Sequence, residues 1–151
     1  MDLDPHVLHL AIRWLHVAAM ATAFGGALTV LALAARPAAD SATTVVGVAM
    51  RYEWMFWAAA GVLALTGIGN LAAFGAGLAA PATPWGTTLL LKLGSVLALV
   101  VVSVPRTLAV ARLSVSTEAA TSPLATLRDL YGVTAGAFAV ILALAIWLAH
   151  G

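Results

Sequence analysis

The chain contains no cysteine and few charged residues. Without cysteine it cannot form disulfides, thiolate metal sites or cysteine-ligated iron–sulfur clusters. Charged residues make up 9% of its 151 residues, against about 25% in a typical soluble domain. The net charge of +1 and the lack of a basic run give no indication of a nucleic-acid partner. The sequence therefore lacks the polar surface that a water-soluble fold requires.

Hydrophobic residues make up 63% of the chain and are concentrated in four long stretches. The stretches run over residues 7–35, 54–79, 87–110 and 130–149, and each is long enough to cross a bilayer, which takes about 20 helical residues. They predict an all-α fold, with residues 1–151 forming one domain of four transmembrane helices embedded in the lipid bilayer. Asp2 and Asp4 stand where a signal peptide would be cationic, so we expect the N-terminus to be retained.

The arginines indicate the orientation of this predicted bundle. Residues 38–50 read as a weakly polar connector that could hold a short interfacial helix. Five arginines fall in or beside the first and third connectors, and none falls in the other hydrophilic segments; they are Arg36, Arg51, Arg106, Arg112 and Arg128. The positive-inside rule then places both termini on the outer side of a bacterial-type cytoplasmic (inner) membrane, crossed by several passes of the chain.

The first span carries a line of polar side chains on one face. His6, His9, Arg13, His16 and Met20 are separated by three or four residues, a spacing that keeps them on one side of a helix. Ionisable groups in a membrane helix usually face the bundle interior or a bound group. We therefore expect a site in the outer half of the membrane, centred on His16. The simpler alternative is that His16 bonds a neighbouring helix.

The third span adds a cation at a similar predicted depth. Lys92 and Arg13 have no acidic residue at their level of the sequence, which favours an anionic ligand such as a haem propionate or a quinone oxyanion. The alternative is that both side chains extend outward to the lipid headgroups. Asn70 and Thr66 lie one turn apart in the second span, so they form either a bond between helices or part of the same cavity.

Copper is the second candidate ligand. His16 and Met20 are one turn apart, so both could contact one ion, and imidazole with thioether suits copper(I). His9 is a further candidate ligand, and with His6 it would form an entry site at the surface. Arg13 argues against copper because a fixed positive charge repels a cation.

The opposite end of the bundle is expected to hold surface ion pairs. Arg51 with Glu53, or Arg128 with Asp129, would pair there. We expect them to anchor the helices at the cytoplasmic headgroups rather than to form a site.

Three stretches resemble CopD-type membrane proteins. The third span reads Trp85-Gly86-Thr87-Thr88-Leu89-Leu90-Leu91-Lys92-Leu93 and ends at Arg106, like the family's Gly, Leu-Leu-x-Lys-Leu and arginine. Leu65-Thr66-Gly67, and His16 followed by Gly25-Gly26, are similar to its other helices. The resemblance implies a role in copper uptake or resistance.

The first span also resembles the HemJ type of four-helix, haem-associated membrane protein. Arg13, His16 and Gly25-Gly26 follow the spacing of its first helix, and its third helix carries a lysine, as Lys92 does here. Val30-Leu31-Ala32 replaces the Leu-Pro-Arg expected after the glycines. This resemblance implies a haem pocket rather than the oxidase reaction of that family.

We weigh three functions on this basis. The favoured one is a haem b protein with a redox or electron-transfer role, and so a possible oxidoreductase, in which His16 ligates iron while Arg13, Lys92, His9 and Asn70 surround the cofactor. Its partners would be quinone or a redox protein, and a second copy could supply an axial ligand. The alternative is a copper transport or resistance protein using His16, Met20 and His9. The third is a structural subunit of a larger membrane complex.

The predicted orientation is open to direct measurement. A reporter enzyme fused after His150 should be active only outside the cytoplasm, because the arginine-bearing connectors resist translocation. A paired fusion at Arg36 should be active only inside. The reverse pattern would contradict the orientation.

Overall fold

The computed structural model describes residues 4–36, 42–72, 80–115 and 123–150. Within these ranges the chain forms four helices and no strand: α1 (Pro5–Ala34), α2 (Ala42–Ala72), α3 (Pro84–Val115) and α4 (Pro123–His150). All four helices are long and apolar enough to span a membrane. The prediction of an all-α fold with four membrane helices is confirmed, while the side on which the termini lie stays a prediction.

Local side-chain chemistry fixes two helix starts. The carboxylate of Asp4 accepts a hydrogen bond from the backbone N–H of His6 at 2.9 Å, which caps α1. The hydroxyl of Thr83 accepts from the N–H of Gly86 at 3.1 Å and caps α3 in the same way. A Cβ on Gly86 would lie 2.2 Å from the carbonyl oxygen of Ala80, so this turn requires glycine.

The helices extend beyond the predicted spans. α2 begins at Ala42 and α4 at Pro123, well before the expected starts at residues 54 and 130. The expected connector over 38–50 is, from Ala42 onward, the first turns of α2. The reason is that an apolar window marks only the part of a helix that lies in hydrocarbon, whereas the helix itself continues into the interface. Residues 73–79, the predicted end of the second span, lie outside the described residues.

The four helices form an up-and-down bundle. α1 packs most extensively on α2 and also contacts α4, while α3 lies against α4 and α2. α1 and α3 therefore occupy opposite corners. Small residues on α1 permit its close contact with α2, since Ala19, Ala23 and Ala27 are all buried.

The core is confined to one half of the bundle. We call the half with the start of α1 and the end of α4 the termini half (residues 5–18, 60–72, 84–98 and 142–150) and the other the arginine half. Every described apolar side chain that is fully buried belongs to the arginine half. They are Ala19, Ala23, Ala27, Val30, Ala34, Val45, Val46, Ala49, Tyr52, Phe56, Ala59, Leu99, Val110, Leu127, Tyr131, Ala135, Phe138 and Ile141. In the termini half the described apolar side chains are half-buried or exposed, while the side chain of Thr66 is buried.

A matched pair of glycines tests the α1–α2 contact. A Cβ on Gly26 would lie 2.6 Å from the ring of Tyr52, whereas a Cβ on Gly25 would meet no atom within 4 Å. We expect Gly26→Ala to lower the free energy of unfolding by about 1–3 kcal/mol because Tyr52 is held in a packed core. Gly25→Ala should be neutral or slightly stabilising. Thermal unfolding in detergent measures both, and equal midpoints would contradict the tight contact.

Candidate functional site

The structure divides the polar face of α1 into exposed and half-buried residues. His9, His16 and Met20 are half-buried, whereas His6 and Arg13 are exposed. Met20 packs against the edge of the core. The deepest polar group of this face is therefore His16, as expected from the sequence.

His16 is hydrogen-bonded to α2. Its ring atom Nδ1 lies 2.8 Å from Oγ1 of Thr66. The Thr66 hydroxyl lies 2.6 Å from the carbonyl oxygen of Val62 and donates its hydrogen there. A hydroxyl has one hydrogen, so toward His16 it accepts.

This geometry fixes the tautomer of the neutral imidazole. Because Thr66 accepts, Nδ1 of His16 carries the hydrogen and Nε2 carries the free lone pair. No described residue hydrogen-bonds Nε2. Metal-ligating histidines have this arrangement, with one nitrogen donating to an outer partner and the other bound to the metal.

Glycines next to Thr66 bring α1 close to α2 at this level. A Cβ on Gly67 would lie 3.8 Å from Cε1 of His16, and one on Gly69 would lie 3.4 Å from the side chain of Ile12. Both would make van der Waals contact, so the backbone of α2 forms one wall beside the imidazole.

Lys92 reaches the same level from α3. Glu53 on α2 bonds Arg106 on α3, and Thr66 and Lys92 lie 13 and 14 residues from this bond toward the termini half. At 1.5 Å per residue these distances are roughly 20 and 21 Å, so Thr66 and Lys92 lie at nearly equal depth. Lys92 is half-buried, and it lies near enough to His16 to act on its imidazole electrostatically.

Asn70 adds a polar atom without a partner. It follows Thr66 by one helical turn, and its Oδ1 is buried with no hydrogen-bond partner among the described residues. A buried acceptor left unpaired costs about 1–3 kcal/mol. The atom is therefore an available acceptor on the helix that orients His16.

Arg13 does not join this group. It is exposed on α1, and the expected combination of Arg13 and Lys92 around two haem propionates stays a prediction. The reason for its exposure is angular: Arg13 precedes His16 by three residues, which turns it about 60° away. In the described ranges no three His, Asp or Glu side chains come together as a metal site.

A second polar cluster occupies the arginine half and was not predicted. Glu53 and Arg106 are 3% and 2% exposed. Nε of Arg106 donates to Oε1 of Glu53 at 2.9 Å, and Nη2 donates to Oε2 at 3.1 Å. The hydroxyl of Tyr131 donates to Oε1 at 2.6 Å, and Thr107 hydrogen-bonds Oε2.

The guanidinium of Arg106 is fully enclosed. Its Nη1 donates to the Thr134 hydroxyl at 3.0 Å. Its carbon Cζ lies 4.4 Å from the ring centre of Phe56 and 5.5 Å from those of Tyr52 and Tyr131, within the range of cation–π attraction. The cluster thus joins α2, α3 and α4 through satisfied groups.

The expectation of surface ion pairing at this end is wrong for Glu53. It bonds Arg106 deep inside the bundle rather than the exposed Arg51. Arg128 and Asp129 do form a loose pair at 3.7 Å, exposed and on one helix. The signal was available in the sequence: Arg106 lies inside an apolar stretch, where a cation requires a partner. Glu53 was expected at the surface because the second span was predicted to begin one residue later.

Two clefts open on the described surface away from His16. One of about 330 Å³ lies between α3 and α4 and is lined by Thr88, Val140, Ala143, Leu144 and Trp147. The other, of about 220 Å³, lies between α1 and α2 beside Gly26, Tyr52 and Arg51. Both are mostly apolar and face the region occupied by lipid.

The four long apolar helices define a small multi-pass membrane protein. The chain belongs to the family described as Copper resistance protein D (CopD), whose model matches residues 46–148, roughly two thirds of its length. The match confirms the CopD resemblance and includes Thr66, Lys92 and the buried ion pair, whereas α1 precedes it. No curated protein and no solved structure matches the chain.

The buried ion pair generates a stability prediction. Arg106→Met should lower the free energy of unfolding by about 3–5 kcal/mol because it leaves the Glu53 carboxylate buried and unpaired. The double variant with Glu53→Met should be less damaging than the sum of the two single changes. Arg128→Met, at the exposed pair, should change stability by less than about 1 kcal/mol. Denaturation in detergent compares the parent with these four variants, Glu53→Met alone included, and a mild effect of Arg106→Met would contradict the burial.

Proposed function

We propose that this chain handles copper at the membrane, holding copper(I) as its substrate through Nε2 of His16 and the thioether of Met20. The observation on which the proposal rests is the Thr66–His16 hydrogen bond. Because Nδ1 donates to Thr66, the lone pair of the imidazole lies on Nε2, where it can bind a metal ion. Family membership supports the same metal. The haem b interpretation has no such support from the family match.

The ligand types suit copper in its reduced state. Imidazole and thioether are soft, neutral ligands, and such ligands favour copper(I). Met20 follows His16 by one turn of α1, so the two side chains lie on neighbouring positions of one face. His9 lies two turns before His16, roughly 10 Å along the axis, which is too far to share one ion. We assign His9, with His6, to an entry position rather than to the same coordination sphere.

The termini half, which has no fully buried apolar side chain among its described residues, suits entry and release. Next to His16, Thr66 is buried and Lys92 is half-buried, whereas the arginine half is filled by apolar side chains and a buried ion pair. Copper would therefore reach His16 from the side of the membrane on which the termini lie. The arginine count assigns that side to the exterior of a bacterial-type cytoplasmic membrane.

The test measures copper(I) binding to the purified protein under anaerobic conditions against a competing chelator. His16→Ala should abolish binding, and Met20→Leu should weaken it. Thr66→Val should weaken it by about 10–100-fold because the imidazole loses its orienting partner. Thr66→Ser is the matched control and should retain affinity, since serine keeps the hydroxyl. His6→Ala should bind nearly as the parent does.

Two results would contradict the proposal. Equal affinity in Thr66→Val and Thr66→Ser would remove the role of the hydrogen bond. A Soret absorption band in protein prepared with ample haem, lost in His16→Ala and accompanied by no copper binding, would return the site to the haem interpretation.

A further inference from the structure

We infer that copper(I) occupies the His16 site together with a soft monovalent anion, of the halide or thiolate class, whose charge Lys92 balances. This inference rests on the proposed copper site and names the form in which the metal is held there. It follows from the position of one lysine and from the charges around it.

Lys92 faces the interior of the bundle. It lies on α3 at seven-residue steps from Leu99 and Arg106, which are 8% and 2% exposed. Seven residues are close to two helical turns, so the three side chains share one face. The half-buried Lys92 therefore belongs to the inward face of α3, at nearly the same depth as Thr66, the partner of His16.

No carboxylate in the described part of the chain balances this lysine. Three carboxylates are described: Asp4 caps α1 at its exposed start, Glu53 is saturated by four donors in the arginine half, and Asp129 lies beside Arg128. None forms an ion pair with Lys92. Among the described residues, the ammonium of Lys92 therefore has no carboxylate partner at the level of His16.

That charge opposes the binding of a bare copper(I) ion. Histidine and methionine are neutral ligands, so copper(I) bound by them alone keeps a charge of +1. The repulsion energy between two like charges is several times larger in a partly desolvated site than in bulk water. One bound anion makes the copper complex neutral and gives the ammonium of Lys92 a partner to which it donates hydrogen bonds.

Asn70 is consistent with a lysine held toward this site. Its Oδ1 is a buried acceptor without a partner among the described residues, and an ammonium has three hydrogens to donate. One hydrogen directed at Asn70 leaves two for an anion bound to copper.

X-ray absorption at the copper edge tests the inference, with bromide as the probe. Bromide is a much heavier scatterer than the sulfur of Met20, so the two are distinguishable in the copper shell. We expect a bromide scatterer in the parent protein and in Lys92→Arg when copper(I) is loaded in sodium bromide. Lys92→Met should bind copper without bromide. In sodium perchlorate, which does not coordinate, Lys92→Met should bind copper(I) on the order of tenfold more tightly than the parent.

The outcomes separate this inference from the proposed function. Copper bound through His16 with no bromide in its shell, and with equal affinity in the parent and Lys92→Met, overturns the inference and leaves the copper site standing. No copper bound by the parent in either salt overturns both. Thermal midpoints of Lys92→Met and Lys92→Arg identify a loss of fold. If the methionine variant is unstable, the presence or absence of bromide in the copper shell of the parent decides the question.

Discussion

The buried pair of Glu53 and Arg106 is the constraint around which this bundle is arranged. Each charge alone would be very costly inside a membrane protein, so each requires the other at a fixed place. Their bidentate contact sets the register of α2 against α3, and the donation by Tyr131 adds α4. Tyr52, the residue before Glu53, donates to the backbone carbonyl of Ala23 at 2.9 Å and so brings in α1. One charge pair thus relates all four helices.

The same constraint explains why the polar residues of the termini half can remain incompletely paired. Apolar contact gives little net drive for helix association in lipid, so packing and hydrogen bonds determine which parts of a bundle are rigid. Here they are concentrated in the arginine half. His16 bonds α2 through Nδ1 alone, and no described residue hydrogen-bonds its Nε2 or the Oδ1 of Asn70, so these two atoms are available to a ligand.

The sequence was sufficient for the class of fold but not for the side-chain partners. Four apolar stretches require four membrane helices, and three-residue and four-residue steps place His16 on one face of α1. The sequence could not show that Arg13 is exposed, because its position differs from that of His16 by only about 60° of rotation. It could not pair Glu53 with Arg106 either, since that contact depends on the depth at which α2 and α3 meet. The hydrophobic stretches of a sequence give the depth of a residue in the membrane only to within several residues.

α1 and the other three helices supply different groups to the proposed site. The family match covers α2 to α4, which supply the ion pair, the hydroxyl of Thr66 and the charge of Lys92. α1 supplies the imidazole, and its position is set by contacts with α2 at Ala23, Gly26 and His16. An imidazole on a membrane helix has two usable tautomers, and only the acceptor on α2 selects between them. The chemistry proposed for His16 is therefore a property of the α1–α2 contact rather than of α1 alone.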